Sequence, residues 1–242
     1  MSTLDESQPV STDVDRPSTI AYTPRIVALV GIAAFLTTFG QPGQIGGIAL
    51  QFLIVKHMHS GATKLASFLF FSAAAWYFKP LAGLVLDSVP LFGTRRRSYL
   101  IGASAISAVA WMIFGHASTS YHRLLDAAVG LNVFMMIAST VMGALLVEYG
   151  QHKAATGGLS SVREAVQDIG GILVGVIGGY LATLPFSRVG DVGAALMVLL
   201  CVSTVLLLAE SPTAHADTAV WTRAGRQIRT LFTSSRYSAR RL

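Results

Sequence analysis

Apolar residues fall along this chain in blocks long enough to cross about 30 Å of hydrocarbon, a distance that takes about 20 helical residues. Six blocks qualify, at roughly 26–55, 64–86, 98–115, 124–149, 161–184 and 192–209. The first is overlong and contains Gly40-Gln41-Pro42-Gly43-Gln44. Proline removes a backbone donor and glycine loosens the helix, so a kink or partial break is expected there. Breaks of this kind survive in a membrane only beside a cavity or protein neighbours. The pattern predicts an all-α membrane protein with six transmembrane helices over residues 25–210.

The ends have a different character. Residues 1–24 are polar, rich in Ser, Thr, Asp and Pro, and lack the basic start and short apolar run of a secretory signal, so a disordered tail is expected. In 211–242, Trp221, Ala224, Ile228, Leu231 and Phe232 share one helical face, with Arg223, Arg226 and Arg229 largely off it. That arrangement suits a basic amphipathic helix on an anionic membrane surface; a plain basic linker is the competing reading.

Composition agrees with a membrane solvent: 52% of residues are hydrophobic and 12% charged, about half the usual charged fraction of a soluble domain. The formal charge of +6 comes from cations at the ends of apolar runs, without the aromatic interleaving of a nucleic-acid surface. A single cysteine, Cys201, excludes an intrachain disulfide framework and a thiolate-ligated metal site. Cytoplasmic placement of both termini gathers thirteen cations inside and leaves Lys56, Lys64, Arg123 and Arg188 outside, with Lys79 within the second span. The asymmetry favours that orientation, in a plasma or inner membrane.

Candidate chemistry centres on "YFKPLAGLVLDSVPLFGTRRRSYL" at 77–100. Gly83 and Asp87 are four apart and share a helical face, so the glycine admits a close neighbour while the carboxylate reaches the interface. Asp87 can then pair with Arg95, Arg96 or Arg97, or face a helix N-terminus. Lys79 lies about two turns, or about 12 Å, inward of Asp87. A buried cation faces a cavity or a partner, or snorkels along its own stem to the headgroups. Glu148, at the same membrane level, is one available partner. In the fifth span Glu164 and Asp168 are also four apart, close enough to share a proton; the alternative leaves Arg163 and Glu164 among headgroups. Gly171, Gly175 and Gly179 repeat every four residues and form a groove for another helix. Gln41, Gln44 and Asn132 lie within spans, where amides bind solutes or tie helices together. His57, His59, His116 and His122 read as outer-surface histidines rather than metal ligands. No span carries a paired His/Glu, a Gly-x-Ser-x-Gly turn or a Cys/His couple, so neither an enzyme nor a cofactor is expected.

A glycine, aspartate and basic cluster between spans two and three resembles the loop signature of the major facilitator superfamily. The six-residue step from Asp87 to Gly93, with Trp76-Tyr77-Phe78-Lys79-Pro80 upstream and Arg95-Arg96-Arg97-Ser98-Tyr99-Leu100 downstream, is similar to the folate/biopterin transporter family within it. "ALLVEYGQ" at 144–151 and "GLSSVREAVQDIGGILVGVIGGYL" at 158–181 resemble that family's fourth-span ending and fifth span, with Gly143 where an aspartate is usual.

The resemblance implies a carrier, moving by alternating access and proton-coupled through Glu148, Glu164 or Asp168, for a folate-like, pterin-like or other organic anion. Lys79, Gln41, Gln44 and Asn132 would contact the solute. Gly83, Asp87, Gly93, Arg95, Arg96 and Arg97 would form the gating loop. The superfamily fold has two six-helix bundles with the substrate between them, and this chain matches one, the N-terminal half. A homodimer or a separate second half is therefore expected as partner, besides the lipid bilayer. A non-transporting scaffold or a truncated carrier is the other reading.

Overall fold

The computed structural model describes residues 24–88, 91–92, 94, 96–117, 120–152 and 156–210. The expected tails at 1–23 and 211–242, together with Gly93 and Arg95 of the loop, lie outside the described residues, as does the side chain of Asp87. Eight α-helices follow in order among the described residues: α1 (Pro24–Phe39), α2 (Gly47–Phe52), α3 (Ala62–Ser72), α4 (Lys79–Ser88), α5 (Arg97–His116), α6 (Tyr121–His152), α7 (Thr156–Leu181) and α8 (Phe186–Leu207). A π-helical turn, Leu53–His57, extends α2, and a 3₁₀ stretch, Ala73–Phe78, joins α3 to α4. Five stretches are long and apolar enough to cross a membrane: Ala62–Leu86, Arg97–His116, Tyr121–Glu148, Arg163–Leu181 and Phe186–Leu207. The protein is an all-α, multi-pass membrane protein.

The first predicted span departs from a single helix. It is divided into two shorter apolar pieces, Ala28–Phe39 and Gly47–His57. Between them the amides of Gln41, Gln44 and Gly47 reach only three residues back, to Thr38, Gln41 and Gln44. Pro42 has no amide hydrogen to give, so the helical ladder fails there. Gln44 N–H goes to Gln41, which leaves the Gly40 carbonyl free, and the fully buried Trp111 indole fills it with Nε1–H to Gly40 O at 3.1 Å. A buried carbonyl in hydrocarbon has no water to accept from, and one indole from α5 meets that need.

The second span bends its rules at Pro80. Without an amide hydrogen Pro80 cannot bond the Trp76 carbonyl, and Lys79 N–H bonds it instead in the tighter 3₁₀ register. The span stays helical but is rewound over Ala73–Phe78.

Two helices make the tightest contact. α5 and α8 lie against each other with Gly115 facing Gly190, so that a Cβ built on Gly190 would sit 2.7 Å from Gly115 Cα. A Cβ on Gly193 would collide with the Trp111 ring. Around this seam Trp111, Phe114 and Phe186 form a run of edge-to-face aromatic pairs with centroids 5.6 and 5.2 Å apart. α1 packs against α6, α7 and α8, and α6 packs against α1, the second span, α5 and α7.

Arg188 does not lie in an outer loop as the sequence suggests. The connection is only residues 182–185, and Pro185 opens α8 one residue ahead of Phe186. Proline's fixed φ suits a helix start, and α8 turns Phe186, Val189 and Gly190 inward while Arg188 and Asp191 pair outside at 3.6 Å.

The glycine stripe of α7 makes no contact within the described chain. A Cβ added at Gly171, Gly175 or Gly179 meets nothing within 4 Å, whereas Gly170 approaches Phe35 and Gly178 approaches the Ile45 carbonyl at 3.4 Å. The glycines that pack α7 on α1 and α2 are thus one position out of phase with the repeat. The repeat itself faces away from the chain, beside exposed Ile172, Val176 and Tyr180.

Gly190→Ala is expected to destabilise the folded chain by about 1–3 kcal/mol through overpacking at the α5–α8 seam. Gly43→Ala, where an added Cβ meets open space, serves as the control. Reversible unfolding in mixed detergent micelles measures both, and equal stability of the two variants would contradict the close packing.

Candidate functional site

The 3₁₀ turn and Pro80 bring Trp76 and Lys79 toward α6. Lys79 Nζ donates to Ser139 Oγ at 3.0 Å and lies over the Trp76 ring at 5.3 Å from its centroid. It therefore turns into the bundle instead of stretching along its stem to the surface. Trp76 is itself held, because its Nε1–H donates to Asn132 Oδ1 at 2.8 Å, and Asn132 Nδ2 donates to the Ala128 carbonyl at 2.9 Å.

Lys79 opens onto a cavity of about 220 Å³ between α1, the second span, α6 and α7. Polar groups converge there from all four: Thr37 and Gln41 from α1 and its break, Lys79, Ser139 from α6, and Arg163 with Gln167 from α7. Among the described residues, two cations and no carboxylate line it. Gly143 is part of the wall, and a Cβ added there meets nothing within 4 Å. A longer side chain at that position has room, so the glycine leaves the wall without an acid. Ser139 lies nine residues before Glu148 on α6, about 13 Å by helix rise, so the inner end of the cavity lies well inside the span, while Leu146 and Arg163 line its end nearer Glu148.

A separate charged cluster closes the bundle at the α5 N-terminus. Arg96 Nη2 meets Glu148 Oε1 at 2.6 Å, with the Arg96 side chain 9% exposed and that of Glu148 37%. Glu210, beyond the end of α8, accepts the backbone N–H groups of Arg96 and Arg97 at 3.0 and 2.8 Å. A carboxylate on these amides satisfies donors that the helix leaves open and faces the positive end of its dipole. Arg97 Nη2 also donates to the Val205 carbonyl at 3.3 Å. The ends of α5, α6 and α8 are thereby tied together.

These contacts sort the residues singled out by sequence. Lys79 and Gln41 share the cavity, with Gln41 Nε2 donating to the Thr37 carbonyl at 3.1 Å. Asn132 holds Trp76 and lines a neighbouring cavity; Gln44 lines neither of the two. Glu148 pairs with Arg96, not Lys79. Glu164 and Asp168 are exposed on α7, directed away from the cavity that Arg163 and Gln167 line. Gly83 faces Thr140 of α6, with 3.6 Å from an added Cβ to the threonine methyl, an ordinary packing distance. Asp87 sits in the last turn of α4. Arg163, Gln167 and Glu210 were missed. Arg163 and Gln167 are four apart on one helical face, and that spacing was the available signal; Glu210 offered none beyond being an acid at the end of an apolar run.

With the site in place, comparison with known proteins is informative. The sequence profile of the BT1 family matches residues 40–237. The chain belongs to the BT1 family. The folate-biopterin transporter of Synechocystis sp. is 27% identical over 190 residues, which is 77% of this chain and 38% of that protein. "Probable folate-biopterin transporter 4" of Arabidopsis thaliana is 32% identical over 110 residues, 43% of this chain and 22% of the relative. Folate transporter 2 of Plasmodium falciparum is 26% identical over 161 residues, 66% of this chain and 34% of the relative. The chain thus spans less than two-fifths of each of these relatives. All three carry the names of transporters, and none that of an enzyme.

A double-mutant cycle tests the charged cluster of this BT1 chain. Arg96→Gln and Glu148→Gln are expected to show a coupling of about 1–2 kcal/mol in reversible unfolding. Additive effects would mean that the pair is screened and does not tie α5 to α6.

Proposed function

We propose that this chain is a transporter bundle of the BT1 family for folate-like, pterin-like or other organic anions. It works by alternating access, together with a second bundle that is either another copy or a separate half. The observation that carries this reading is the cavity with Lys79 and Arg163 on its wall and no carboxylate beside them. Lys79, half-buried in the second span, attracts an anion more strongly than it would in water, and Arg163, exposed at the start of the fifth span, adds charge at the edge of the cavity. Family membership and the names of the matched relatives supply the solute class.

In this reading the protein sits in a plasma or inner membrane with both termini cytoplasmic. Asp87, Gly83, Gly93 and the arginines at 95–97 form the cytoplasmic gate. The Arg96–Glu148 pair and the Glu210 cap hold one conformation of the bundle and must rearrange in the other. Glu148, Glu164 and Asp168 are the residues available for proton coupling, and the last two would act from the face of α7 turned toward the second bundle.

The test is uptake of labelled folate into sealed vesicles containing only this purified chain, with an imposed proton gradient. Saturable uptake above empty vesicles is expected. Lys79→Met and Arg163→Met should each lower it by about tenfold, the equivalent of about 1.4 kcal/mol, while a neutral pterin loses less. Asp87→Asn should slow turnover without reducing membrane insertion. Folded protein that takes up nothing, at any gradient, would favour a missing second half or a non-transporting half-bundle, and unchanged uptake by both cation variants would remove the cavity from the mechanism.

A further inference from the structure

A second cavity, of about 330 Å³, adjoins the first on the side toward α5. Its walls are of another kind: Leu50, Phe68, Leu69 and Phe114 provide apolar and aromatic surface, and among the described residues no charged side chain lines it. Gln41 and Trp76 are the two residues that line both cavities. Trp76 thus stands as a shared wall, one side toward Lys79 and the other toward the phenylalanines. Its place is fixed by the Asn132 amide, which spends its carbonyl on the indole and one N–H on its own helix.

From this juxtaposition we infer that the second cavity is a ring subsite, taking the flat, uncharged aromatic head of the same solute whose acidic end lies against Lys79 and Arg163. The inference rests on the anion reading of the first cavity and adds an orientation to it. Apolar, aromatic walls with a few polar groups are the ordinary anatomy of a small-molecule site, and planar rings gain from edge and face contacts with Phe and Trp. A carboxylate cannot enter this chamber without losing its solvation to groups that return little, so a solute with one acidic and one aromatic end is held in a single sense. Gln41, at the junction, keeps its carbonyl and one N–H for a ring edge. Asn132 is then a positioning residue: it holds the Trp76 wall and does not itself grip the solute.

The experiment measures binding by calorimetry to the full-length chain in lipid nanodiscs, using folate as a probe with ring and acids and glutarate as a probe with acids alone. Ala73 lines the ring chamber and is exposed, so Ala73→Phe fills the space without crowding the bundle interior. Ala73→Ser controls for the substitution itself. We expect Ala73→Phe to weaken folate by about tenfold or more and glutarate by less than about twofold, with Ala73→Ser close to the parent for both. Lys79→Met should weaken both probes. Equal weakening of both probes by Ala73→Phe, or folate binding that it leaves unchanged, overturns the ring subsite while the anion site stands. A parent chain that binds no glutarate, or binding of both probes that Lys79→Met leaves unchanged, overturns the anion reading and the ring subsite with it.

Discussion

The fold depends on one hydrogen bond across the bundle, from the Trp111 indole to the Gly40 carbonyl. Proline in the first span opens the backbone ladder, and hydrocarbon offers no substitute acceptor or donor for the groups set free. A buried donor on α5 resolves this, and its bulky ring in turn needs α8 to present bare backbone at Gly193. Three spans are committed to each other by that sequence of requirements. The break they support is what lets Gln41 stand at the junction of two cavities, so the site exists because the break is affordable.

The polar groups of the interior divide by level. Near the N-terminus of α5, charges meet charges: Arg96 with Glu148, and Glu210 with the amides of Arg96 and Arg97. Along α6 from Leu146 inward to Ser139, the polar groups on the cavity wall are cations and neutral hydrogen-bonding groups among the described residues. Deeper still the wall is aromatic. This grading from paired charge to unpaired cation to apolar ring surface suits a solute that is acidic at one end and flat at the other.

Much of this was legible in the sequence because it follows from local chemistry. Block lengths located the five membrane-length stretches, Gly40–Gln44 marked the break between two shorter apolar helices, and a lysine inside an apolar run marked the cavity. Partner choice was not legible. Arg96, not Lys79, takes Glu148, because that depends on how α5 and α6 end in space. Arg163 is exposed at the start of the fifth span, as a headgroup residue would be, and its place on the cavity wall with Gln167 depends on how α7 packs against α1. The second span shows why such projections fail. Six residues wound at three per turn advance the helix by about 120° and about 3 Å beyond an α-helix of the same length, so α3 and α4 do not share the faces a single helical wheel assigns them.

The glycine contact between α5 and α8 has a mechanical meaning. Packed helices slide past one another by letting side chains exchange rotamers, and where Gly115 meets Gly190 there are none to exchange. This pair behaves as a single stiff rod within the protein. Any rearrangement that opens and closes a path must then be accommodated where the backbone is already irregular, at the unravelled turn of 40–46 and the overwound turn of 73–78, and both of these carry residues that touch the cavities.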